Sequence, residues 1–162
     1  MFFNDIYGGW KEMQEDKYCK IFDILGNEFL CNVMGKRSLD IGCGPGFFSE
    51  FAKLRGAKAR IYGIDILTGG CMTADGDMLP FKKEAFDFVI CVDTMHLLKG
   101  DDFRRVLKKR GFALLATFFN DLNFYERRKM LLDKLRGFEI LTEFEIRGRE
   151  SEYVVLARKR YC

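Results

Sequence analysis

The sequence predicts an α/β fold of the doubly wound kind, and three features of the chain predict it. A glycine-rich turn, Gly42-Cys43-Gly44-Pro45-Gly46, follows a strand-like run and opens an amphipathic one. An acid, Asp65, closes the next strand-like run about 20 residues on, where nucleotide-binding α/β folds place a ribose partner. A nearly all-apolar run at 86–92 then reads as a parallel strand buried on both faces.

The chain has 162 residues, enough for one domain (1–162) and little more. Apolar residues make up 48% of it, so a packed core is expected rather than disorder. The formal charge of +3 does not call for a nucleic-acid partner, and none is expected. The six cysteines never form C-x-x-C, and with a single histidine there is no zinc set, so no metal is expected. Scattered cysteines and the absence of a secretory pattern in residues 1–9 fit reduced thiols in a cytoplasmic protein. The longest apolar run, 112–119, is too short to span a bilayer.

Tyr18, Ile21, Phe22 and Leu25 fall at helical spacing and predict a helix over 11–25, ended by Gly26. A short helix at 28–34 completes an amino-terminal cap of residues 1–35. Its aromatic residues, with Trp10 beside Gly8-Gly9, fit either a staple on the core or a lid that moves on the glycine pair. Residues 38–41 are the first strand. Phe47, Phe51 and Leu54 mark a helix over 46–55, and 59–64 is the second strand. Only nine residues separate Asp65 from Asp75, whereas a parallel crossover takes about ten to twelve or more, helix included. The helix after strand two is therefore expected to be missing or vestigial, and strand three, near 71–74, short. One sheet face is left for a partner subunit, such as a second copy, or for the amino-terminal segment to cover. Residues 101–110 read as a helix whose basic run is a solvated face. A strand at 112–117, a helix at 121–135 and a closing pair at 138–146 and 152–157 follow.

The phrase from 39 to 46, Leu-Asp-Ile-Gly-Cys-Gly-Pro-Gly, resembles motif I of the class I S-adenosylmethionine-dependent methyltransferases. A nicotinamide-dinucleotide turn would carry its third glycine at 47, where this chain has Phe47. Asp75-Gly76-Asp77-Met78-Leu79-Pro80-Phe81 resembles the next signature of that family, in a Leu-Pro-Phe form similar to enzymes of the ubiquinone-biosynthesis type. The resemblance implies a Rossmann-like mixed sheet of seven strands in the order 3-2-1-4-5-7-6, trimmed after strand two. It implies S-adenosyl-L-methionine as cofactor, S-adenosyl-L-homocysteine as product and a small-molecule acceptor, with a protein or RNA acceptor, or a scaffold without turnover, as alternatives. It implies that the cofactor lies against Asp40, Gly42, Cys43, Gly44 and Gly46, with Asp65 and Ile66 at the ribose. Asp75, Gly76, Asp77 and Met78 would hold the adenine, and Asp93 would close the site. His96 stands where the family often has a histidine and is the candidate catalytic base, ahead of Asp93 and Tyr125.

Overall fold

The structure is a computed structural model that describes residues 2–67 and 71–161, with side chains from Gly9 onward. Five helices and seven strands are present: α1 (Phe2–Leu25), α2 (Asn27–Val33), β1 (Arg37–Ile41), α3 (Phe47–Leu54), β2 (Arg60–Asp65), β3 (Met72–Thr73), β4 (Phe86–Val92), α4 (Phe103–Val106), β5 (Leu107–Phe119), α5 (Phe124–Lys134), β6 (Glu139–Ile146) and β7 (Ser151–Arg158). The strands form one sheet in the order β3-β2-β1-β4-β5-β7-β6, as the family resemblance implied. β7 runs antiparallel to both β5 and β6, and the other pairings are parallel.

Alternation along the buried strands splits the core into two layers. Phe88 and Ile90 of β4 face Tyr18, Phe22, Leu30 and Phe48 of α1, α2 and α3. Val89 and Cys91 face Phe103, Val106, Leu131 and Leu135 on the side of α4 and α5. The α1 stripe read from the sequence is a staple. Tyr18 meets Phe48 at 5.3 Å between ring centroids, and Phe22 meets Phe51 at 5.3 Å. The helix is longer than predicted and runs through Gly8-Gly9 without a break.

Two expectations need correction. The helix predicted over 101–110 is a single turn, because Leu107 leaves it to pair with Phe86 as the first residue of β5. Residues 108–111 then bulge, with Arg110 at φ 62° and its N–H donated to Lys159 O at 2.9 Å. Arg104 and Arg105 remain on the helical turn, and Lys108, Lys109 and Arg110 lie on the edge of the sheet. The cysteines are not all free either, since Cys43 and Cys71 are joined by a disulfide across a Cα separation of 7.0 Å. The short crossover explains the encounter. It lays Cys71 against the glycine turn, and both sulfur atoms sit over Gly63, where a Cβ would come within 2.8 Å of Cys43 Sγ and 2.9 Å of Cys71 Sγ.

Among the described residues no helix connects β2 to β3, as the nine-residue spacing predicted. A groove of about 780 Å³ lies there between α3 and β2, and no described residue of α1 lines it. Leu54 is 82% exposed and Met72 47% exposed at its rim.

The helical layer depends on Phe48, which is buried between Tyr18 and Phe22. Phe48→Ala should lower stability by about 3–5 kcal/mol, from lost burial and the cavity left behind. Urea unfolding measures this, and a loss below about 1 kcal/mol would show that the layer does not rest on that ring.

Candidate cofactor and acceptor site

The site is built where β1, β2 and β4 end together. At the end of β1 the chain turns sharply, and both Gly42 N–H and Cys43 N–H donate to Ile64 O of β2, at 2.8 and 3.0 Å. Gly44 N–H donates to Asp65 Oδ2 at 2.9 Å. Only glycine fits at 42. Its φ is 76°, and a Cβ would lie 2.0 Å from Thr94 Oγ1 at the end of β4. Gly46, at φ 90°, stands at the N-cap of α3 with open space where a side chain would be. The turn is thus a cradle of bare backbone, with the first N–H groups of α3 at its rim. Trp10 of α1 leans over it, and a Cβ on Gly44 would meet the indole at 3.2 Å.

Asp65 braces the turn with one oxygen, and its other oxygen accepts from Leu67 N–H at 3.0 Å. Each carboxylate oxygen keeps a second lone pair, so a diol can still be held. Ile66 beside it is exposed. Asp40 lies under the turn, buried, and its pKa is raised to about 7 by burial and then by Asp65.

The second wall is the 75–81 turn. Asp75 Oδ1 accepts from Asp77 N–H at 2.8 Å, and Met78, 77% exposed, stands at the surface. Asp77 points away from the cradle. Its oxygens accept from Lys99 and Gly100 N–H groups at 3.0 and 2.8 Å, which lowers its pKa. Gly76 is close-packed, since a Cβ there would come within 2.9 Å of Leu98 and 3.2 Å of Ile41. Asp102 and Arg105 clamp the segment from below: Asp102 accepts from Leu79 N–H, and Arg105 donates to Leu79 O and Phe81 O.

The third wall follows β4. Asp93 has a left-handed backbone, φ 57°, and its carboxylate accepts from Phe118 N–H at 2.8 Å and from Lys17 Nζ. His96 sits in a 3-10 turn, Met95–Leu97, with its ring edge-on to Phe118 at 5.4 Å. Its Nδ1 is buried without a partner among the described residues. Burial, and then the Arg127 charge, lower its pKa against the pull of Asp93, so the ring is neutral at pH 7. Tyr125 is largely exposed.

Lys17 and Glu152 were not picked out from the sequence. Each looks like a surface charge in its own stretch, and only folding brings residues 17, 93 and 152 together. Lys17 Nζ lies between Asp93 and Glu152, 2.6 Å from Glu152 Oε1. Burial works against the ammonium, but the two carboxylates outweigh it and its pKa is raised. One cation cannot satisfy two buried acids. Glu152, 1% exposed, is pushed up to about 8 by burial and then by Asp93, with Lys17 opposing, and its Oε2 has no partner among the described residues. It therefore holds a proton at neutral pH. An unfolded chain loses that proton near the ordinary glutamate value, so stability falls as pH rises from there toward about 8. Glu152→Gln should flatten this slope between pH 5 and pH 9, as thermal unfolding across that range would show (the range is about that of the two pKa values). An unchanged slope would mean that Glu152 ionises normally in the fold.

A model of the methyltransferase domain family matches residues 39–115, from the glycine turn to the middle of β5. Malonyl-[acyl-carrier protein] O-methyltransferase of Legionella pneumophila is 30% identical over 137 residues, covering 72% of this chain and 47% of that protein. The chain thus spans about half the length of its curated relative. Among solved structures, a SAM-dependent methyltransferase from Aquifex aeolicus superposes with a TM-score of 0.61 at 18% identity, covering 89% of this chain and 97% of that one. A protein from Pyrococcus horikoshii OT3 gives 0.63 at 19% identity, with 88% and 91% covered. These two share the fold. The motif, the strand order and the family match agree: residues 39–115 match the methyltransferase domain, and the chain has the fold of S-adenosylmethionine-dependent methyltransferases.

Proposed function

We propose that this protein transfers a methyl group from S-adenosylmethionine to a small-molecule acceptor. The observation that carries this reading is the bare-backbone cradle at 42–46, braced by Asp65 at the shared ends of β1 and β2. Bound S-adenosylmethionine supplies a sulfonium methyl group, already a strong electrophile. The chain's part is to hold the donor, exclude water and align the acceptor.

The residues present fit that cofactor. Gly42, Gly44 and Gly46 leave room for it against the main chain, and the free lone pairs of Asp65 suit a ribose diol. Asp75 keeps one oxygen for an adenine amino group. With the Asp77 N–H already given to Asp75, the ring-nitrogen donor is the Gly76 N–H. Met78 is exposed enough to lie on the adenine face. Asp93 closes the site from a distance, since its carboxylate is engaged by Lys17 and Phe118.

The acceptor enters past the end of β4, beside the partly exposed His96 ring. A neutral imidazole there can take a proton from a hydroxyl or thiol as its oxygen or sulfur is methylated. The Legionella relative is named as an O-methyltransferase, which makes an oxygen acceptor the first class to screen.

S-adenosylhomocysteine should bind in isothermal titration and NAD should not, because Phe47 stands where a dinucleotide turn has glycine. Asp65→Ala should weaken that binding by about 1.5–3 kcal/mol in a folded protein. Heat with NAD alone, or an unchanged dissociation constant in the mutant, would overturn the assignment. His96→Ala should lower turnover about tenfold or more without changing cofactor affinity, and activity should recover partly at higher pH. Loss of cofactor binding or of thermal stability in that variant would make the histidine structural.

A further inference from the structure

The net charge of +3 conceals a strong separation of charge along the strands. The edge where β1, β2 and β4 end carries Asp40, Asp65, Asp75, Asp77 and Asp93. The opposite edge, where the parallel strands begin, is basic. The starts of β1 and β2 set Lys36, Arg37, Lys58 and Arg60 side by side, with Arg37 and Arg60 direct register partners and Arg60 N–H bonded to Lys36 O. Lys82 and Lys83 lead into β4, and the bulge at 108–110 adds three cations beside them. β7 returns to the same edge with the cations 158–160, Lys159 N–H being bonded to Gly111 O.

The carboxylates at these strand ends are Glu84, Asp87 and Glu139. Asp87 is engaged by Lys108 and by the backbone of Lys36 and Arg37, and Glu139 by Arg158. Among the described residues the other strand-end cations make no ion pair. The crowding is felt within the edge itself. Burial first, and then the charges of Lys83, Arg104 and Lys109, hold the Lys159 ammonium below its ordinary value against the pull of Glu84.

Two tyrosines are interleaved with the cations. Arg110 lies over the Tyr161 ring at 5.4 Å, and that ring is 67% exposed. Arg60 lies over Tyr62 at 5.2 Å, a half-buried ring that packs on Phe81 and Phe86, so Tyr161 is the exposed one of the two. From β2 to β7 the edge spans roughly 19 Å, four strand spacings of about 4.8 Å each. A row of unpaired cations with aromatic faces between them matches a flexible polyphosphate chain that carries stacking bases. An acidic protein surface would use the charges but not the rings.

We infer that the strand-start edge is a binding surface for a single-stranded polynucleotide, separate from the cofactor cradle at the other end of the sheet. It tethers the protein to such a strand and takes no part in methyl transfer, so it stands whether or not the proposed activity does.

Fluorescence anisotropy with a labelled single-stranded RNA of about 20 nucleotides tests it. Binding should be detectable at low salt and should fall at least about tenfold between 50 and 200 mM salt. The triple variant Lys109→Gln, Arg110→Gln, Arg160→Gln should weaken binding and flatten the salt dependence, because fewer counterions are released. Tyr161→Ala should weaken binding at unchanged salt slope, through lost stacking. The thermal unfolding midpoint should be the same in all three proteins, which shows that each is folded. No binding of the strand at 50 mM salt would overturn the inference. So would equal affinity for a polyglutamate peptide or for phosphatidylglycerol vesicles together with indifference to Tyr161→Ala, since the surface would then serve an acidic protein or a lipid.

Discussion

The site hangs on one carbonyl. Ile64 O, near the end of β2, accepts from both Gly42 and Cys43 N–H groups, and Asp65 next to it accepts from Gly44. Three successive amides of the turn are thereby fixed to β2 before any ligand arrives. This is possible because β1 and β2 are parallel neighbours in register, Ile41 opposite Ile64. It is also why a side chain at 42 is excluded, for the turn must pass close under Thr94 from β4. The central strands, the turn and the α3 N-terminus form one unit, pre-organised by backbone groups and the Asp65 carboxylate.

Much of this was legible from residues near one another in sequence. The glycine turn and the aspartate closing β2 depend on local spacing, and the structure has both; the crossover is short by the same count, with residues 68–70 outside the described ones. What was not legible depends on pairings across the chain. The 101–110 stretch has acids first and bases last, as a helix would, but Leu107 gains more by joining Phe86 in the sheet than by extending one turn of helix. The cysteine pair 43 and 71 meets only because the crossover is too short for a helix, a consequence that cysteine spacing alone does not announce. Lys17, Asp93 and Glu152 lie on α1, after β4 and on β7, and no periodic pattern links them.

The same contrast applies to charge. A small net value and scattered basic runs look like ordinary surface when read along the chain. A parallel sheet collects every strand start on one edge and every strand end on the other, so modest local biases of the same sign add. The acids that close strands gather around the cradle, and the lysines and arginines that open them gather opposite. Arg104 and Arg105 stay on the single turn of α4, but the helix ends at Val106, and 108–110 join cations from four other strands.

The polar atoms left without partners show where the fold remains unfinished. Buried donors and acceptors are paired almost everywhere in folded proteins. Here, among the described residues, the buried side-chain atoms without a hydrogen bond are His96 Nδ1 and the Glu152 carboxyl oxygens, Oε1 resting against the Lys17 ammonium. Both residues flank Asp93 at the end of β4, and neither belongs to the glycine cradle. The glycine cradle is braced in the free protein by main-chain bonds and by the Asp65 carboxylate. The unpaired atoms lie outside the cradle and are closed off from solvent. Binding that completes a buried polar network favours the molecule that fits over one that lacks the matching group, because the wrong molecule leaves the buried atoms unpaired. Any molecule can engage His96 Nδ1 or the Glu152 carboxyl only where the side chains around them move to open them.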